Sequence, residues 1–239
     1  MTKRSFVLVA LALGMAAVPA FAQDSETGTR LAPPKARDVG SVALNGKDQA
    51  VGAKRMAECI YNRKGVLARQ ALQAQSAEAA NAAISKMMGE VTCFGDDASN
   101  DLVGMRVALI PPDILRGMLA EAAFKRDGNG VQALQPLPIQ QIYQRNWFAV
   151  TGRHVTVDEM GACIADTNPA GILALARSTP TSKEESAAFT ALGPNLGACL
   201  RAGTKLQASR QALRAALSEA LYQRLHAPFA TPAVEAAKK

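Results

Sequence analysis

The chain has 239 residues, a formal net charge of +7 and only 5% aromatic residues. Its charges alternate in sign and never build a block of five. A solvated surface therefore explains them better than a nucleic-acid or anionic-surface interface, for which stacking aromatics are also scarce. The apolar content is mostly Ala, Leu, Val and Ile, without regular period-2 runs of β-branched residues, which predicts an all-α fold.

Lys3 and Arg4 precede an apolar run from Phe6 to Val18, and Ala20 and Ala22 supply the small residues that a signal peptidase reads. This pattern predicts a signal peptide over residues 1–22, cleaved between Ala22 and Gln23. The run falls short of the roughly 18–20 apolar residues that a membrane anchor needs. The leader also lacks a cysteine for lipid attachment. Cleavage would remove Lys3 and Arg4, leave a net charge of +5, and place the mature chain in the periplasm or outside the cell, with no later transmembrane segment. Residues 23–48 mix Pro, Gly and charge without periodicity and read as a flexible lead-in.

Residues 49–126 read as a first helical repeat and residues 155–226 as a second. "LRGMLAEAAFKR" at 115–126 shares six of twelve positions with "LRAALSEALYQR" at 213–224. "VGAKRMAECI" at 51–60 matches "VTVDEMGACI" at 155–164 through Val, Met, Cys and Ile. "GVLA" at Gly65 matches "GILA" at Gly171 after a two-residue insertion, and Cys93 then falls opposite Cys199 at the same offset of 106. At the last helix the offset drops to 98, so the first copy carries eight extra residues after its second cysteine. Matching order with gaps in loop-like places marks an internal duplication, and predicts two tandem four-helix repeats related by a pseudo-twofold axis.

Within the repeats, Met56, Cys59 and Ile60, like Met160, Cys163 and Ile164, have helical i, i+3, i+4 spacing. Asn168 followed by Pro169 predicts a capped helix start, and Ser182 with Glu185 reads as a capping box. Pro194 is expected to end or kink that helix before Cys199. The last helix of each copy is apolar on two sides, as expected of a central helix. Arg116 and Glu121 lie five apart, too far round one helix to pair well. Were the two last helices antiparallel, Arg116 would meet Glu219, and Arg214 would meet Glu121; the alternative leaves all four at solvent-facing margins.

In the first copy's extra segment, Asp97, Ser99 and Asp101 have calcium-loop spacing, but Leu102 replaces the required glycine and Ala108 the bidentate acid. Between the repeats, the connector 127–154 opens with the chain-breaking "DGNG" and then gathers Tyr143, Arg145, Trp147 and Phe148. That cluster reads first as filling for the seam between repeats and second as an interaction surface. Residues 227–239 read as a disordered tail.

Four cysteines in an exported chain imply disulfides. Each copy holds one equivalent pair, which favours Cys59–Cys93 and Cys163–Cys199 over the two other connectivities. No C-x-x-C spacing accompanies them, and His154 and His226 stand far from metal-ligand positions, so no metal is expected.

"MGACI", the paired cysteines, "GACLRAG" and "LRAALSEALYQR" resemble a group of exported, internally duplicated, four-cysteine helical proteins of Gram-negative bacteria, over about residues 51–225. The resemblance implies the repeat fold and brings no activity or catalytic residues. No catalytic motif, catalytic residue or cofactor signature is present. The expectation is thus an envelope binding or interaction protein, with an unknown protein or small-molecule partner. An envelope enzyme with its site between the repeats is the alternative, and an inhibitor or immunity-like protein is a third reading. A deep cleft of convergent charged groups without an apolar rim would favour the enzyme; a shallow apolar groove around Trp147 would favour binding.

Overall fold

A computed structural model describes residues 46–89, 93, 110–201, 203, 204, 206 and 208–226. The expected leader with Ala22 and Gln23, the lead-in up to residue 45, the candidate calcium loop and the tail from 227 lie outside them. The described residues form eight helices and no strand. These are α1 (Gly46–Leu72), α2 (Ala77–Gly89), α3 (Pro112–Gln132), α4 (Phe148–Thr151), α5 (Val155–Thr167), α6 (Pro169–Arg177), α7 (Lys183–Cys199) and α8 (Arg210–His226). None is long and apolar enough to cross a membrane.

The helices α3 and α8 form the centre. Every residue from Ile114 to Phe124, and from Arg214 to Arg224, is buried. Around them pack α1 and α6 against α3, and α5 and α6 against α8. Two helices apolar on both sides can be satisfied only in this way, because each must cover partners on opposite flanks. Close approach is possible where Gly117 meets Ala215: a Cβ at Gly117 would fall inside the Ala215 backbone.

Local signals act largely as their chemistry requires. Asn168 Oδ1 accepts from Gly171 N at 2.9 Å, and Pro169 occupies the first turn of α6. Ser182 Oγ accepts from Glu185 N at 3.1 Å, while the Glu185 carboxylate answers Thr181 N at 2.8 Å, one residue before the cap. Between α5 and α6 the chain turns at Asn168 (φ −143°, ψ 63°). In α1 a single non-helical residue, Lys64 (φ −128°, ψ 37°), kinks the helix between two helical segments.

Two breaks read from sequence are corrected. The "DGNG" segment does not interrupt α3, which continues to Gln132. Val131 is buried and Gly130 lies where a Cβ would press on Leu225, so packing against α8 outweighs the weak helix propensity of glycine. Pro194 does not end α7, which runs on to Cys199. There the disulfide to Cys163 of α5 fixes its end. The second bridge, Cys59–Cys93, ties α1 to the segment after α2, so the pairing within each half is the one favoured by spacing.

Candidate functional site

The central interface is built on charge as well as on apolar contact. Arg116 donates through Nε to Glu219 Oε1 at 2.8 Å and also through Nη2 to the same oxygen. Arg214 grips Glu121 with two bonds, Nε to Oε1 at 2.7 Å and Nη2 to Oε2 at 2.8 Å. Gly117 lies against Ala215, and further along both helices Gly130 lies against Leu225, while Arg224 near the end of α8 reaches Gln135 O just past the end of α3. The two helices therefore run parallel, which corrects the antiparallel packing expected from the sequence, and each Arg reaches along the interface to the Glu of the other helix. All four groups are buried instead of reaching solvent.

Each pair extends into a neutral quartet. In one, Glu121 also receives Lys54 of α1 at 3.3 Å, and Arg214 Nη1 reaches Glu185 of α7 at 2.8 Å. In the other, Glu219 Oε2 accepts from Arg153 at 2.8 Å; Arg153 Nε then bonds Asp158 Oδ1 at 2.8 Å, whose second oxygen accepts from Thr151 Oγ1 at 2.6 Å. Two cations and two anions in each set leave no net buried charge, which satisfies the chief requirement for burying ions.

The spare donors close helix ends. Arg116 donates to the carbonyls of Ala71 and Leu72 at the end of α1. Arg214 and Lys54 both donate to Ala176 O and Ser178 O at the end of α6. These carbonyls carry the negative end of the helix dipole and have no partner inside the helix. Burial would raise Glu219, but Arg153 and Arg116 outweigh it and hold its carboxyl below the usual range. Burial lowers the Lys54 ammonium below the ordinary lysine range despite the pull of Glu121.

The quartet around Glu121 opens onto a cleft of about 620 Å³. Its walls are α1 (Val51, Lys54, Arg55, Glu58), α3 (Glu121, Phe124, Lys125) and the end of α6 with the turn after it (Ala176, Arg177, Thr179, Pro180). Immediately beyond Pro180, Thr181 stands at φ 64°, a left-handed conformation that a β-branched residue adopts at a cost of about 1–2 kcal/mol. Its N–H bond to Glu185 holds it there. Among the described residues the Glu219 quartet is closed, because Arg153, at 5% side-chain exposure, and Thr151 of α4 cover it.

The aromatic connector lies elsewhere. Tyr143 and Trp147 belong to the hydrophobic core, and Phe148 meets the Trp147 ring edge-on at 4.6 Å. Arg145 lies over the Tyr143 ring at 5.4 Å and reaches Asp166 at 3.6 Å. Since α4 packs on α2 and α3 while Arg145 reaches α5, these four residues bridge the halves, and Tyr143 also lines a small pocket of about 150 Å³ with Ile139, Thr156 and Glu159. Burial raises the Asp166 carboxyl, although Arg224 stands at 3.5 Å and Arg145 beside it. Neither histidine joins a metal-like group: His154 caps α5, and His226 stacks on Tyr222 at 4.0 Å. Among the described residues no three His, Cys, Asp or Glu side chains are placed to hold a metal ion.

Lys54, Arg153 and Asp158 escaped sequence reasoning, and Glu185 was read only as a capping residue. The available signal was Lys54 on the helical face of α1 that also carries Ala50 and Ala57, and Asp158 one turn before Gly161 and Ala162 on the same face of α5. A charge on an apolar stripe demands a partner, but the partner's identity depends on how the helices dock. No protein-family model matches the chain, and neither a curated protein nor a solved structure gives a significant match.

Proposed function

We propose that the chain is an exported binding protein of the cell envelope, made by tandem duplication, whose ligand occupies the cleft between α1, α3 and α6. Two disulfides suit an oxidising compartment outside the cytosol, consistent with the leader read from residues 1–22. Three correspondences support the repeat. The bends at Lys64 and Asn168 fall at equivalent sequence positions with similar backbone angles. Arg116 and Arg214 each cap the end of the second helical segment in their own half. Each also pairs with the glutamate of the other half. On this reading α1 corresponds to α5 plus α6, α2 to α7, and α3 to α8.

The observation that carries the binding reading is that the polar floor of the cleft is already committed. All three donors of Lys54 are used, by Ala176 O, Ser178 O and Glu121. Glu121 is held by two bonds from Arg214. Groups fixed in this way shape a surface and set its potential, whereas a general acid or base must exchange a proton during turnover. The position of the cleft between the halves is what an envelope enzyme would share, and its apolar walls at Val51, Phe124 and Pro180 weigh against that alternative.

The test is capture from an envelope extract by the oxidised chain, with a double variant Arg55→Glu, Arg177→Glu as parallel bait. A small molecule or protein retained by the first bait and lost from the second supports the reading. Identical retention by both, or none by either, rejects it.

A further inference from the structure

We infer that the cleft recognises a small organic dianion, with one acid group on Arg55 and the other on Arg177; this rests on the binding reading above. The charge balance of the walls leads there. Lys54 and Glu121 belong to a quartet that sums to zero. Lys125 is neutralised by Glu58 at 2.6 Å. Arg55 on α1 and Arg177 at the end of α6 remain, both exposed and both without an ion-pair partner among the described residues. They stand on different walls of one cleft, so the residual charge of two is divided between two places.

The usual objection to an anion beside a helix C-terminus does not apply. The carbonyls at the end of α6 are covered by Lys54 and Arg214, so the negative end of that dipole is already countered. Guanidinium is the side chain best matched to a carboxylate or phosphate, binding it through two parallel N–H donors. The same cleft is also lined by Val51, Phe124, Ala176 and Pro180, apolar surface suited to a short methylene spacer. The volume of about 620 Å³ is within the range of small-molecule sites. An aliphatic dicarboxylate satisfies both ends and the middle, and a single compact anion such as phosphate leaves one arginine unused.

An NMR titration of the oxidised, isotope-labelled chain tests this, using succinate, glutarate and adipate to span spacer lengths, with inorganic phosphate, 1,6-hexanediol and putrescine beside them. At least one dicarboxylate should shift the backbone amides of residues 51–58 and 176–180 saturably. Arg55→Gln and Arg177→Gln should each weaken that binding by roughly tenfold or more, the loss of one charge-assisted contact. Arg201→Gln, which alters an exposed arginine paired with Glu159 away from the cleft, should leave it unchanged. No saturable shift from any dicarboxylate, or shifts indifferent to both cleft substitutions, overturns the inference. If hexanediol or putrescine moves these amides and the dicarboxylates do not, the cleft binds a ligand of other chemistry: the inference falls and the binding reading stands. Phosphate binding as tightly as the best dicarboxylate overturns the two-ended arrangement.

Discussion

Glu219 shows what one buried charge does in this molecule. It is fully buried, yet Arg116 and Arg153 keep it ionised. Replacing it with Gln leaves the shape but strips Arg116 of its carboxylate partner, and should destabilise the chain by about 3 kcal/mol near neutral pH. Because its folded pKa lies below the ordinary value of 4.5, its stabilisation is complete above that pH and is lost as pH falls through the folded value. Urea midpoints of wild type and Glu219→Gln should therefore differ by a constant amount around neutrality and converge in acid. A gap that persists below the folded pKa would show that shape, not charge, sets the cost. The Arg116–Glu219 and Arg214–Glu121 pairs were readable in the sequence because the same Arg and Glu recur in the matching phrases of both helices, although the antiparallel packing expected to join them is not the one found. The ion pairs of Lys54, Arg153 and Glu185 were not readable, since their partners come from elements whose docking no local pattern specifies.

At the scale of elements, α3 and α8 touch most closely at Gly117. Gly117→Ala drives a methyl into the Ala215 backbone and should cost about 1–3 kcal/mol or more, measured as a lowered melting temperature. At Gly197 in α7 an added methyl would meet no described atom within 4 Å, so Gly197→Ala should stabilise by about 0.5 kcal/mol through helix propensity. Helix starts at Asn168 and Ser182 were legible because a cap is a local hydrogen bond. Helix ends were less so. The "DGNG" stretch and Pro194 carry local stop signals, and packing on α8 and the Cys199 bridge override them. The aromatic connector was legible as a group that fills space between the halves, but only the fold determines which helices Trp147 meets in the core.

For the whole molecule, the all-α class and the pairing of cysteines within halves could be read from composition and from the matching phrases around each cysteine pair. The cleft could not, because its walls are contributed by α1, α3 and α6 together. The bridges close segments separated by 34 and 36 residues, and removing Cys59–Cys93 by a double alanine change should cost about 3–4 kcal/mol of unfolding free energy on the chain-entropy estimate. Traded Arg–Glu pairs mean that neither half can bury its central helix without the other, so the halves should form one cooperative unit. Equilibrium urea unfolding of the oxidised chain tests this most directly, followed by Trp147 fluorescence at the connector and by far-ultraviolet circular dichroism for the helices overall. The two curves should coincide with a single midpoint. Separate midpoints, with substantial helix surviving after the Trp147 signal is lost, would contradict it.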